Sequence, residues 1–565
     1  MSVLIFSFGY TESNGQVINT DLNEEKISLF TDRTLYISGE QVQFSAYLYN
    51  NSIAGIDSQN KNIKSQDQTL SRVFYVEIIT PEGEKIAKGK YLYEKSCGSG
   101  FITIPKDVAT GNYYIRAYTK FMRNNGPAAY SYARLKIVNP FKSDILTYNH
   151  TNTQTPKDSV KLEDTLGRQE LVTVLLNKEE YSTREQVKIQ INGLDLLKNT
   201  IIDLNLTVIP DSSIVEENKV LPVVDKTLYN NYYYPETNGL SLTGRLKDNK
   251  SELSLSNTMV NLSILDDCKD FMATLTDSTG RFFFRMPSFI GSNDIFLCTE
   301  TLVDSKTNIF IDNDFCSIKV KLPTPPFHLT EMEKVVAYNM ALNAQIASQF
   351  NKEIPKDSSK YKNKAFYGEP QERLFLDKYI QLPTIEDYIN EIIPILKIRK
   401  HRGEKYFKVY STQAEMDIFK PLVLLDLVAI DNPKKILSLS PQSISHIEVI
   451  DFPYVKGSIT YGGIISFFSK KGDFAGVDLP NSGVFLDFNF LTDGSKSYSI
   501  NTHGEHQPDY RNTLIWEPNV VLGSEKSKDL YFNTSDTPGK YIVLLRGITS
   551  QGKEFTCKKS FIVRD

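Results

Sequence analysis

Few residues in this chain stand at spacings that chemistry could use. His503 and His506 flank Glu505, with Asp509 close behind, a nitrogen and carboxylate set of the kind that ligates zinc. The stretch is a polar loop with no helix to aim both imidazoles at one point, so it is not assigned as a metal site. The five cysteines, Cys97, Cys268, Cys298, Cys316 and Cys557, are odd in number and far apart, which argues against a dense disulfide framework. Cys268 and Cys298 share one module, and their placement allows a bridge. Lys470 and Lys471 form a charge pair at a strand end and read as solvated. No Gly-x-Ser-x-Gly elbow, Walker loop or dinucleotide fingerprint occurs. The sequence therefore assigns no catalytic residue, no cofactor and no metal ligand, and it reads as that of a non-enzyme.

The elements that would position any site must come from a large, strand-rich chain. Its 565 residues leave room for roughly three to five domains of ~100–200 residues each. The 64 Lys and Arg against 68 Asp and Glu give a net charge of −4, and the basic residues are scattered, which leaves no footprint for nucleic acid. The 31 Tyr and 32 Phe against one Trp, with many Thr, Val and Ile, favour strands. No apolar run approaches the ~18–20 residues that cross a bilayer as a helix, so no transmembrane segment is expected. Residues 1–20 begin with an apolar run, Met1 to Gly9, that lacks a basic start. They read as the remnant of an export signal or as an apolar N-terminal strand.

Residues 25–140 read as a β-sandwich. Strands are expected at Lys26–Phe30, Gln41–Leu48, Val73–Ile79, Tyr113–Tyr118 and Ala133–Val138, separated by turns such as Pro81-Glu82-Gly83. Within it, Thr31, Asp32, Arg33, Tyr36, Gly39, Glu40 and Val42 carry a resemblance to the macroglobulin-like domains of the α2-macroglobulin family. They are expected to form a structural corner, with Tyr36 plugging the sandwich edge and Ser38-Gly39 turning the chain. That family's Cys-Gly-Glu-Gln thioester is missing, because Cys97-Gly98 continues as Ser99-Gly100.

The pattern from Phe30 to Val42 returns from Leu175 to Val187, with Tyr181 on Tyr36 and Glu185 on Glu40. A strand around Leu204–Pro210 echoes Val76–Pro81, and the copy then breaks off. Its missing half returns at the C-terminus, where Gly539–Val543 falls on Gly111–Ile115. Half a sandwich would leave an apolar face and open strand edges in water. Residues 165–212 and 525–565 are therefore expected to make one split sandwich, with everything between them inserted.

The insertion divides in two. Residues 239–323 show short strands and a tight Asp277-Ser278-Thr279-Gly280 turn, and resemble transthyretin-like sandwiches of the carboxypeptidase-regulatory type. The aromatic tract Tyr229–Pro235 ahead of them is expected to pack on neighbouring domains. A helix and linker take residues 326–363, with Thr330 and Glu333 as a capping box and Met332, Val336, Met340, Ala347 and Phe350 on the apolar face. A second helix starts at Thr384 and carries Tyr388, Ile392 and Ile393 up to Pro394. Leu396–Arg399 reads as a short strand, and further strands at Val423–Asp426, Ile447–Ile450 and Ile464–Phe468 complete a small α/β module over residues 365–478. The order of PLVLLDLVAI, ISHIEVI and YGGIISFFSKKG resembles the plug domain of TonB-dependent outer-membrane receptors, in the version found in Bacteroidota. Such receptors need a barrel of many ~10-residue strands after the plug, and the residues that follow are too few for one. Residues 479–524 read as a connector.

The sequence thus implies a mainly β, multi-domain chain made of macroglobulin-like β-sandwiches, a transthyretin-like sandwich and a small α/β plug-like module. These resemblances imply a non-enzymatic partner-binding or scaffold protein of the bacterial outer membrane, exported and facing the periplasm or the surface, as a subunit of an outer-membrane protein complex. A barrel or another envelope protein is the expected partner and nucleic acid is not; strand edges and the plug-like module are the expected contact surfaces. Two other classes stay open. One is a thioester-independent protease inhibitor with the polar linker Asn351–Asn363 as its bait, and the other an accessory to TonB-dependent nutrient uptake.

Overall fold

The structure is a computed structural model that describes residues 25–50, 71–94, 97–146, 172–193, 201–214, 220–224, 232–265, 269–300, 307–350, 365–413, 416, 418–456, 459–494, 508–520, 527–549, 552 and 554–565. Residues 1–20, the linker Asn351–Asn363, Cys268, His503, Glu505 and His506 lie outside the described residues. The chain is mainly β and multi-domain. Among the described residues no helix is long and apolar enough to cross a membrane.

The five strands expected between Lys26 and Val138 are strands, and three more, Leu35–Ile37, Lys85–Leu92 and Cys97–Thr103, complete two sheets. The smaller sheet orders Glu25–Thr31, Gln41–Asn50 and Cys97–Thr103; the larger holds the other five. Between them Phe44 meets Phe74 and Tyr91 edge-on. Each such fully buried side chain contributes about 1.5–3 kcal/mol.

A second sandwich draws on two distant parts of the chain. Gln186–Asn192 lies between Thr173–Leu176 and Ser527–Asn533, with Val187 opposite Phe532. In the facing sheet Ile201–Pro210 lies between Ile515–Glu517 and Gly539–Thr549, and the sheet continues through Glu554–Arg564 to Glu180–Ser182. Ile78 pairs with Ile115 in the first sandwich and Val208 with Val543 in the second. With Val543 standing on Ile115, this register sets Pro210 on Thr80 rather than on Pro81.

In the small sandwich, Ser241–Asp248 lies between Arg281–Arg285 and Thr307–Ile311. Its other sheet orders Asp270–Leu275, Met259–Ile264, Ser292–Thr299 and Val484–Asn489. The stretch 479–524 is therefore more than a connector: Val484–Asn489 adds an edge strand here, and Ile515–Glu517 adds one to the second sandwich. Both are short and complete sheets begun some 200 or more residues earlier, so no local pattern announces them.

The α/β module has a five-stranded sheet in the order Glu372–Phe375, Ile444–Ile450, Ile464–Ser469, Leu422–Leu425, Val428–Ala429. The Ile385–Ile392 helix, capped by a Thr384/Asp387 box, buries Ile385, Tyr388 and Ile389 against it. Asp426 and Leu427 turn the chain at positive φ. The Asp426 carboxylate holds that turn by accepting the Ser469 and Phe474 amides and the Ser469 hydroxyl.

The helix expected after residue 326 spans Glu331–Phe350 and starts with the Thr330/Glu333 box. Of its expected apolar face, Met340 is buried and Val336 packs half-buried beside it, but Met332 does not join them. Glu333, Ala337 and Met340 turn inward while Met332 is 59% exposed. Glu333 on the inward side receives the Lys136 ammonium at 2.6 Å. The side chains of Ala347 and Phe350 lie outside what the structure describes.

Candidate interaction site: a repeated corner and its junctions

Tyr36 is fully buried and does plug the edge of the first sandwich. Its hydroxyl donates to Asp32 Oδ1 at 2.7 Å, and it accepts the Arg33 amide at 3.2 Å. Asp32 Oδ1 also takes the Gln43 amide, and Glu40 Oε2 takes the Ile37 amide at 2.7 Å. The Arg33 guanidinium bridges the Asp32 and Glu40 carboxylates at 3.2 Å each. Gly39 completes the turn at φ +90. These bonds fix the chain reversal, which explains why the residue types recur at fixed spacing.

The second copy builds the same frame 145 positions later. Tyr181 donates to Asn177 Oδ1 at 2.8 Å and accepts the Lys178 amide; Glu185 accepts the Ser182 amide and pairs with Lys178. Arg184 stands where the first copy has Gly39 and keeps a positive φ of 59. Its guanidinium is tied to the Asp536 carboxylate.

The first corner differs from the second in being occupied. Thr513 donates to Asp32 Oδ2 at 2.6 Å and Asn512 to Glu40 Oε1 at 2.6 Å, both from the segment leading into the second sandwich. The Thr34 and Leu35 amides both bond the Ser213 carbonyl. Arg33 also reaches Met340 of the Glu331–Phe350 helix. Beyond the corner, Arg546 donates to the Thr31 carbonyl and covers the Phe30 ring, and Tyr47 donates to the Pro518 carbonyl. A segment expected to be a structural corner is thus also the joint between two sandwiches.

A second joint holds the opposite face of the first sandwich to the small sandwich, and it was not legible in the sequence. Arg116 and Glu77, neither exposed, pair at 2.6 Å on that face. Beside them Asp314 receives Lys90 at 2.5 Å and Lys120 at 3.2 Å, Lys120 also faces Glu236, and Tyr75 donates to Glu236. Burial would raise the Asp314 carboxyl, but the Lys120 and Lys90 charges outweigh it and hold it below its ordinary value. Burial lowers the Lys90 ammonium in spite of Asp314, whereas Lys120, opposed by burial, is carried above its ordinary value by Asp314 and Glu236 together. Asp314, Lys90, Lys120 and Glu236 pair with one another inside an interface, so their chemistry is that of a lock.

The other residues marked in the sequence have structural places. Burial pushes the Cys97 thiol up, and its sulfur sits 3.8 Å from the Pro518 carbonyl. A Cβ on Gly98 would come 2.2 Å from the Phe74 ring, so the glycine serves packing. Asp509 is buried and engaged by Arg511 at 2.6 Å. Lys470 and Lys471 are exposed. Tyr233 of the aromatic tract lies against the Arg123 guanidinium at 3.9 Å, packing on the first sandwich, while Tyr232 and Tyr234 are exposed. Among the described residues no cluster of three metal-ligating side chains occurs.

The α/β module joins the small sandwich, whose Phe296 and Cys298 enter the module's main core. Phe271 and Ala273 pack with Leu422, Leu424 and Ile464, Ser263 donates to the Leu427 carbonyl, and Lys456 pairs with Asp270. Farther along the sheet, Phe375, His446 and Phe468 stack in a row, the His446 ring 4.4 Å from Phe468. Burial lowers the His446 imidazole, although Glu448 opposes it.

No family model matches the chain, and no characterised protein matches it in sequence. Among solved structures, α2-macroglobulin of Salmonella reacted with methylamine is 9% identical over 95% of this chain and 39% of its own, with a TM-score of 0.23. The native E. coli α2-macroglobulin is 10% identical over 96% and 40%, with a TM-score of 0.24. The Yersinia pseudotuberculosis adhesin InvE is 10% identical over 70% and 77%, with a TM-score of 0.11. This chain spans about two fifths of the length of those macroglobulins. At these values the similarities assign neither family nor activity.

Proposed function

We propose that this chain is a non-enzymatic scaffold that binds a protein partner at the bacterial outer membrane, through the module of residues 365–478. The observation that carries this reading is the distribution of exposed apolar side chains. Among the described residues Ile380 and Ile418 of the α/β module, at 87% and 75%, are the two most exposed large apolar side chains, and Val455 of the same module is 62% exposed. Its resemblance to receptor plugs makes a barrel protein of the envelope the expected partner. The domain assignment belongs to the same proposal: sandwiches at 25–140, at 165–212 with 525–565, and at 239–323, followed by the plug-like module. Their buried ionic and hydrogen-bonded joints support an arm that holds the module in one orientation.

Affinity purification of the tagged chain from detergent-solubilised outer membranes tests this. A recurrent barrel protein, lost on Ile380→Asp with Ile418→Asp, is the expected result. Purification without any envelope protein, or with one that the double substitution leaves bound, contradicts it. Cleavage within 351–363 with loss of protease activity would instead identify an inhibitor.

A further inference from the structure

Although cations are scattered along most of the chain, residues 396–410 concentrate them. Lys397, Arg399, Lys400, Arg402, Lys405 and Lys408 against Glu404 give this stretch a charge of +5 in a chain whose total is −4, so all other residues together carry −9. Its two strands, Leu396–His401 and Glu404–Val409, pair as an antiparallel ribbon of their own. Leu396, Phe407 and Val409 anchor one face in the core of the α/β module, with Ile398 packed beside them. Lys397, Arg399, Tyr406 and Lys408 take the other face, because side chains alternate along a strand. Lys405 is tied to Glu386, but among the described residues no carboxylate pairs with Lys397, Arg399, Lys400 or Arg402.

The end of the ribbon carries cations on every side. Arg402 and Gly403 turn it at φ 48 and 83, and His401 to Glu404 are all exposed. Lys400 lies on the side of Ile398, Arg399 on the side of Lys397, and Arg402 at the end between them. The Tyr410 hydroxyl holds the Arg399 guanidinium in place, accepting Nε at 3.0 Å and Nη2 at 2.6 Å. Tyr406 and Tyr410 are 42% and 37% exposed. We propose that this tip is a membrane-contact site, which enters the headgroup layer of an anionic lipid surface and takes lipid phosphates on its Lys and Arg side chains.

The arrangement selects lipid among anions. Basic clusters of this size hold proteins on acidic membranes, and exposed tyrosines, apolar in body and polar at the tip, suit the boundary where headgroups begin. A tip that enters a layer of headgroups finds phosphate on both its sides and at its end. A nucleic-acid strand or an acidic peptide would lie along one side and leave either Lys400 or Arg399 unused. Running on past the ribbon, it would also meet the net negative charge of the rest of the chain.

Sedimentation of the full chain with lipid vesicles tests the proposal. Vesicles of phosphatidylcholine mixed with phosphatidylglycerol should carry the chain down at low salt and release it at high salt, and vesicles of phosphatidylcholine alone should leave it in solution. Each Lys or Arg at such a surface is worth about fivefold in partition, so Lys400→Gln with Arg402→Asn should lower binding about 25-fold. Both side chains are exposed, and Asn tolerates the positive φ at residue 402; circular dichroism checks that the variant is folded. Lys470→Gln with Lys471→Gln removes the same charge elsewhere in the module and should leave binding unchanged. Failure to bind the acidic vesicles, equal binding to both kinds, full binding by the tip variant, or an equal loss in the Lys470 and Lys471 variant overturns the proposal. So does a short DNA duplex bound as tightly as the acidic vesicles. The vesicles hold no protein, so the outcome is separate from whether a barrel protein is recovered from the outer membrane.

Discussion

The two sandwiches share a corner but differ in what lies on it. In the first copy the outer side of the smaller sheet presents Phe30, Gln43, Ser45 and Tyr47, all buried. The equivalent positions of the second copy, 145 residues on, are Leu175, Lys188, Gln190 and Asn192. There Lys188 pairs with Asp529 at the surface and Leu175 is 47% exposed. Side chains of neutral, partly aromatic character let the second sandwich's larger sheet settle on the first. The second set, with one lysine and two amides, keeps its own sheet in water. One frame thus serves as a joint or as a free end according to the few residues on its outer face.

Exchanging those residues sharpens the contrast. Gln43→Lys places an unpaired charge in the joint and should cost about 3–5 kcal/mol, whereas Lys188→Gln should stay within about 0.5 kcal/mol. Both are measured by denaturant unfolding followed at Trp516, the one tryptophan, which is buried in the second sandwich. A smaller separation follows at the corners. Asp32→Ala leaves the buried Gln43 amide and Thr513 without this acceptor, takes one of Tyr36's bonds and removes a partner of Arg33, for a loss of about 3 kcal/mol, and Asn177→Ala, with two partners and exposure to water, should lose about 1 kcal/mol. The least effect is expected at the turn. Gly39→Ala meets positive φ and should cost about 1 kcal/mol, while Arg184→Gly relieves that strain, gives up an exposed ion pair and should change stability by less than about 0.5 kcal/mol. Equal costs in the two copies, at any of these three places, would break the comparison.

What could be read in the sequence follows from the range of the forces involved. The corner was legible because Tyr36 and Tyr181 bond groups within a few residues of themselves, so local spacing records the contact. Alternating strands such as Val73–Ile79 were legible for the same reason. Lys85–Leu92 was missed because its lysines break the alternation, and Val484–Asn489 because the sheet it completes is set by residues far earlier in the chain. Nothing local in the sequence marks Arg116, Glu77 and Asp314 as buried; the meeting of two modules pairs them inside.

Ending the chain after residue 526 tests most directly the split sandwich on which the joint depends. The truncation removes Ser527–Asn533, Gly539–Thr549 and Glu554–Arg564, and so takes away the long partners of Gln186–Asn192 and Ile201–Pro210. Limited proteolysis read by mass spectrometry should then cut within residues 173–210 while 422–469 stays protected, and Trp516 emission should shift to the red. Protection of 173–210 equal to that in the full chain would contradict the account.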